Sequence, residues 1–166
     1  MLQAGIIETT TRGPYLSPVK VVPKSSHESR FVLDCHALTP HLNSPKFHLP
    51  PLPVALQRAP LPAHPYFCKI DLKDAFYHFG LAPSARALTT FRLDGVYYRY
   101  TVLPFGIRPA PFVMQMLANA ITREARARGL WAWSHLDNFL FAHSDLFFWR
   151  TRPTPSAPSS RARASV

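Results

Sequence analysis

Apolar residues fall in short runs along this chain, and prolines interrupt them before most can extend into a long helix. Residues 17–24 (SPVKVVPK) and 29–34 (SRFVLD) are β-branched or apolar runs bounded by Pro and Ser, the pattern of two strands joined by a small loop. From Pro40 to Pro65 prolines recur every few residues, which predicts a connector with one short helix at Val54 to Arg58. YFCKIDL at 66–72 is a compact apolar strand ending in an acid, and KDAFYHFGL after it predicts a turn and a return to extended chain. Leu88 to Val102 predicts a hairpin, because Asp94-Gly95 sits between runs rich in Phe, Tyr, Thr and Val. After Pro111, apolar residues at Phe112, Met116, Ala120 and Ile121 with a closing Gly129 predict the one long amphipathic helix. Leu130 to Ala142 runs apolar, polar, apolar, which predicts two buried strands around a tight turn with an acid at its tip. Beyond Asp145 the periodicity ends in Pro, Ser, Ala and Arg, the composition of a disordered tail.

Length and composition narrow the picture. With 166 residues the chain has room for one domain or a domain and a tail, and at 47% apolar it can bury a core. No run approaches the ~18 apolar residues of a membrane span, and the start lacks a basic leader, so an intracellular protein without a membrane partner is expected. The formal charge is +10, and arginine supplies most of it, crowding the last third at Arg123, Arg126, Arg128, Arg150, Arg152, Arg161 and Arg163. Guanidinium is the better bidentate partner for phosphate, so polyanions are the expected partners. Cys35 and Cys68 make no disulfide framework or zinc spacing and read as buried thiols. The histidines form no HExxH, and neither GxSxG nor a Gly-rich phosphate loop is present, which removes zinc peptidases, serine hydrolases and P-loop enzymes.

Most of the few acids have an ordinary explanation. Asp94 belongs to its turn, Glu124 to a helix face among arginines, and Glu8, Glu28 and Asp145 to solvent. Asp71 and Asp137 lie after or within apolar strand-like runs, where an unpaired carboxylate is costly. A divalent cation would offset that cost, since Mg²⁺ takes one or two carboxylates with waters and substrate phosphates. The plainer alternative pairs Asp71 with Lys69, Lys73 or an arginine and leaves Asp137 capping a turn.

Five stretches in order, GIIETTTRGPYLSPVKVVPK, SRFVLDCHALT, KIDLKDAFYHFGL, YRYTVLPFGIRPAPFVMQ and SHLDNFLFAHSD, resemble the N-terminal part of a reverse transcriptase of the retroviral, pararetroviral and retrotransposon kind. The resemblance spans roughly residues 3–145. It implies an α+β polymerase right-hand fragment: fingers plus an incomplete palm, with a small antiparallel sheet packed by helices. The expected division is a fingers-like segment with its Pro-rich connector at 1–65, a partial palm at 66–145 and the tail at 146–166.

By that resemblance Asp71 and Asp137 would be the catalytic carboxylates, holding Mg²⁺, or Mn²⁺ in its place, with the main-chain carbonyl of Leu72 as a further ligand. The implied chemistry is two-metal nucleotidyl transfer from a deoxynucleoside triphosphate onto a primer 3′-hydroxyl, on an RNA or DNA template. Asp74 and Ala75 would lie beside the triphosphate and sugar, and Phe76 would exclude a ribose 2′-hydroxyl. Lys24 and Arg30 would grip the triphosphate from the fingers hairpin. Phe105 and Gly106 of LPFG would lie under the nucleotide, the glycine permitting close backbone approach. The chain departs from the family at His135-Leu136-Asp137-Asn138, where relatives carry two consecutive aspartates. A weakened or inactive polymerase is therefore expected, the alternative being a noncatalytic nucleic-acid-binding remnant. The family pattern continues with more palm, a thumb and commonly an RNase H domain, so a truncated fragment, completed if at all by another chain, is the further expectation.

Overall fold

The computed structural model describes residues 1–23, 29–49 and 51–151. In chain order it contains strands β1 (Ile7–Thr10), β2 (Val19–Pro23) and β3 (Ser29–Leu33), helix α1 (Leu52–Arg58), and strand β4 (Tyr66–Asp71). Helix α2 (Pro83–Arg86), strands β5 (Phe91–Leu93) and β6 (Val96–Tyr100), and helix α3 (Ala110–Ala127) follow. The described chain closes with β7 (Trp131–His135), β8 (Asn138–His143) and α4 (Phe147–Thr151). All strand pairings are antiparallel. No helix among the described residues is long and apolar enough to cross a membrane.

Among the described residues these elements form two compact units, one within Met1–Pro45 and Asp74–Ala110, the other within Lys46–Lys73 and Pro111–Thr151. In the first, the β5–β6 hairpin turns on Asp94 (φ 48) and Gly95 (φ 83), both left-handed as a two-residue primed turn requires. β1 adds to the far side of β6, giving the order β1-β6-β5, and β2 pairs with β3 separately. Phe91 and Tyr100 are fully buried, and the Phe91 ring meets Phe31, Tyr98 and Tyr100 at centroid distances of 5.4, 5.7 and 5.8 Å. The buried Thr89 hydroxyl accepts from the Tyr100 amide at 3.0 Å and donates to the Arg86 carbonyl at 2.8 Å, so this hydroxyl is satisfied on both sides. Cys35 is buried, and burial pushes its thiol up to about 11, which keeps it protonated at neutral pH. Cys68 is only partly buried, against expectation.

Glu8 on β1 ties this sheet to α2, its carboxylate accepting from Arg99 at 2.7 Å and Arg86 at 3.4 Å. The Arg99 hydrogen bond, aided by the charges of Arg99 and Arg86, holds the Glu8 carboxyl below its ordinary value of 4.5. A depressed folded-state value means the contribution is present above the unfolded value and is lost as pH falls through the folded one. The pair is partly exposed, so the effect is small. Acid titration of the denaturation midpoint should show Glu8→Gln losing less stability than wild type through the carboxylate range; equal losses would refute this.

In the second unit the sheet order is β4-β8-β7. α3 ends in a Schellman motif: Gly129 (φ 85) donates to Arg126 O at 3.0 Å and Leu130 to Ala125 O at 3.1 Å. The predicted helix is present, but its buried face differs from the one expected. Met114, Gln115, Ala118, Thr122 and Ala125 are buried, whereas Met116 is 57% exposed and Ala120 and Ile121 lie on the outer face. Packing against the sheet, not apolar count, selected the stripe. The Arg126 guanidinium crosses to β7 and donates twice to Ala132 O, at 3.1 and 2.7 Å. Beyond Asp145, where no periodic signal was read, Phe147–Thr151 form a short helix; residues 152–166 of the expected tail lie outside the described residues.

Candidate active site

In the second unit, the pairing of β4 with β8 sets Asp71 opposite Asn138, and the β7–β8 pairing sets His135 opposite the same Asn138. Leu136 and Asp137 are thus the two-residue loop of a hairpin, with Leu136 at φ 53. A left-handed leucine costs on the order of 1–3 kcal/mol and persists only where its surroundings hold it. Two contacts hold it. The Leu72 amide donates to the Asp137 carbonyl at 3.0 Å, extending the strand pairing past Asp71. The Leu136 amide donates to Gln115 Oε1 at 2.9 Å, while Gln115 Nε2 donates to Asn119 Oδ1 at 2.8 Å and Ser134 Oγ at 3.3 Å.

Asp71, Leu72, Asp137 and Asn138 therefore converge at one end of the sheet. Asp71 lies at an exposed strand end, because β4 is an edge strand among the described residues; the desolvation cost expected of it does not arise. Among the described residues no ion pair to Asp71 occurs. Asp137 is half-buried in the turn, where its carboxylate accepts from Asn138 Nδ2 at 3.2 Å. Two carboxylates, an amide oxygen and a main-chain carbonyl suit a hard oxygen-seeking cation completed by water and phosphate. No group of three or more His, Cys, Asp or Glu side chains suited to an all-protein cage occurs among the described residues.

Gln115 escaped the sequence reading, although a signal was present: an amide on a helix stripe otherwise made of Met114, Ala118, Thr122 and Ala125 is a buried polar group needing partners. It is a positioning residue for the hairpin. Gln115→Leu keeps the volume but strands the Leu136 amide and Ser134 hydroxyl, a loss of about 1–3 kcal/mol. Denaturant unfolding should register that loss, and faster hydrogen exchange at Leu136 should accompany it; unchanged exchange would remove Gln115 from this role.

The residues expected at the nucleotide fall in the first unit. Asp74 (φ 52) is left-handed, which Asp tolerates, and starts a 3₁₀ turn, Ala75–His78, that buries Ala75 and Phe76. The Phe76 and Phe105 rings meet edge to face at 4.8 Å, and Arg30 lies over the Phe105 ring at 5.1 Å. Arg30, Phe76 and Phe105, chosen from separate stretches of sequence, thus form one cluster. Tyr77, which was not singled out, joins it edge to face with Phe105 at 5.4 Å, and burial raises its hydroxyl above the ordinary tyrosine value. Gly106 has φ 97, and a Cβ there would lie 2.1 Å from the Leu33 carbonyl oxygen. Close backbone approach was expected at this glycine on account of the nucleotide; the structure supplies a reason within the chain itself. Lys24 lies outside the described residues.

A small antiparallel sheet with one acid in a hairpin turn and another at the end of the neighbouring strand, on an α+β chain, is the architecture of a polymerase fragment. Residues 23–146 match the family model described as reverse transcriptase (RNA-dependent DNA polymerase), and the chain belongs to that family. It is 32% identical over 130 residues to the Retrovirus-related Pol polyprotein from transposon gypsy of Drosophila melanogaster, covering 75% of this chain and 12% of that polyprotein. It is 31% identical over 130 residues to a putative enzymatic polyprotein of Cassava vein mosaic virus, covering 74% and 20%. Protein P of Heron hepatitis B virus is 30% identical over 124 residues, covering 72% and 16%. The chain thus spans a fifth or less of these relatives. Among solved structures, the foamy viral protease-reverse transcriptase in complex with double-stranded DNA superposes with a TM-score of 0.72 at 19% identity, covering 88% of this chain and 25% of that one. The same viral protein in complex with an RNA/DNA hybrid superposes with a TM-score of 0.70 at 19% identity, covering 87% and 18%. Both share the fold.

Proposed function

We propose that this chain carries the fingers and part of the palm of an RNA-directed DNA polymerase, with nucleotidyl transfer weakened by Asn138. The observation that supports this reading best is the β4–β8 register, which sets Asp71 opposite Asn138 and brings the Asp137 main chain within a hydrogen bond of Leu72. Asp71 and Asp137, helped by the Leu72 carbonyl and the Asn138 amide oxygen, would hold Mg²⁺ or Mn²⁺. Bound there, divalent ions supply Lewis-acid stabilisation of phosphoryl transfer to a primer 3′-hydroxyl. The chain's own contribution is positioning: the strand pairing and Gln115 hold the carboxylates, and Arg30 offers a planar donor fork to a triphosphate. Phe76, 8% exposed and braced by Phe105, is a rigid wall suited to excluding a 2′-hydroxyl, which favours deoxynucleotides. By the family resemblance Asp74 and Ala75 would meet the triphosphate and sugar, Gly106 would lie under the nucleotide, and Lys24 would add a second cation for the triphosphate.

The test is metal-dependent extension of a DNA primer on an RNA template. Incorporation that requires Mg²⁺ or Mn²⁺ and vanishes in Asp71→Asn is expected. A folded protein that extends nothing with either metal refutes the catalytic reading. The substitution of a carboxylate by Asn138 favours a second reading, a noncatalytic nucleic-acid-binding remnant whose +10 charge holds template. That reading predicts binding that weakens steeply with salt and no incorporation.

A further inference from the structure

Away from the residues of the carboxylate pair, the second unit contains a cavity of about 520 Å³ between α1, α3 and β7. Its lining divides by chemistry. Val54, Ala55 and Ala59 make an apolar side, to which Trp133 adds an indole. Arg58, Arg123 and Arg126, all exposed, line the same space, and no Asp or Glu does. Arg126 is anchored on Ala132 O, whereas Arg58 and Arg123 form no hydrogen bond or ion pair with a described residue. Asn119 and Ser134 add polar groups, each already hydrogen-bonded to Gln115 and so held in place.

Three arginines around one space with no acid among its lining residues give it a positive potential that favours an anion. Guanidinium forks match phosphate oxygens in pairs. The volume is that of a small-molecule site and exceeds what a bare phosphate fills, and the apolar side suits a base and sugar. We propose that this cavity binds a nucleoside phosphate, the phosphate held by Arg58 and Arg123 and the nucleoside body against Val54, Ala55 and Trp133. The site uses none of the residues assigned to nucleotidyl transfer and requires no metal.

Isothermal titration calorimetry of the full chain with adenosine monophosphate, in EDTA, tests it. Saturable binding is expected, with inorganic phosphate and adenosine each much weaker. Arg58→Ala and Arg123→Ala should each weaken affinity by roughly tenfold or more, the loss of one charge-assisted contact. Arg128→Ala should leave affinity unchanged, since Arg128 pairs with Glu124 at 2.7 Å and does not line the cavity. Ala55→Trp, which fills the space without altering charge, should abolish binding and covers the case in which an arginine variant fails to fold. Asp71→Asn should bind as wild type does, which separates this site from the nucleotidyl-transfer reading. No binding at millimolar ligand, equal binding by adenosine, or equal weakening by Arg128→Ala would overturn the proposal.

Discussion

Asn138→Asp should raise primer extension by about tenfold to a thousandfold over wild type. Asn138 directly faces Asp71 across the β4–β8 pair and follows Asp137, so a carboxylate there adds a full charge at the point where the cation would sit. At about 4 Å and an effective dielectric near 20, one unit charge is worth on the order of 4 kcal/mol, part of which relaxation and water offset. The same change carries a cost without metal. It removes the 3.2 Å hydrogen bond from Asn138 Nδ2 to Asp137 Oδ1 and sets two like charges on adjacent residues at a tip that already holds a left-handed leucine. Asn138→Asp should therefore melt at a lower temperature than wild type in EDTA and recover in Mg²⁺, a shift wild type shows less strongly. Equal extension rates for Asn138→Asp and wild type, with both folded, would remove residue 138 from the chemistry. Loss of the Mg²⁺ recovery would show that no cation binds between these carboxylates.

The second large effect is on stability. Gly106→Ala should cost about 3 kcal/mol or more, combining a left-handed alanine with a steric clash. The φ of 97 alone disfavours any side chain, and the Cβ would meet the Leu33 carbonyl oxygen at 2.1 Å. That oxygen belongs to backbone closing the β2–β3 pair, where Val19 partners Leu33, so it cannot swing aside as a side chain would. Gly95→Asn is the control: its φ of 83 is also left-handed, but nothing lies within 4 Å of a Cβ there, and Asn tolerates that region. Chemical denaturation should separate the two variants clearly. A Gly106→Ala protein as stable as Gly95→Asn would mean the LPFG loop moves freely off Leu33.

Much of the architecture was legible because its signals are local. Asp-Gly between aromatic runs specifies a two-residue hairpin, Gly129 ends a helix, and the prolines from Pro40 to Pro65 leave room for the short helix α1. Each is decided by backbone sterics within a few residues. Motif order likewise identified the family. Tertiary structure decided the rest. The pairing of β1 with β6, and of β4 with β8, joins residues far apart in the chain, for which alternation supplies no register. The buried stripe of α3 depended on which side meets the sheet, which moved Met116 and Ile121 outward and made Gln115 a core residue. Asp71 ends an apolar run yet lies in the open, since exposure follows from edge position in a sheet rather than from neighbours in sequence. Composition along the chain determined what could be buried; the packing of distant segments determined which residues were, and so set the carboxylates at one end of a sheet and the arginines around one cavity.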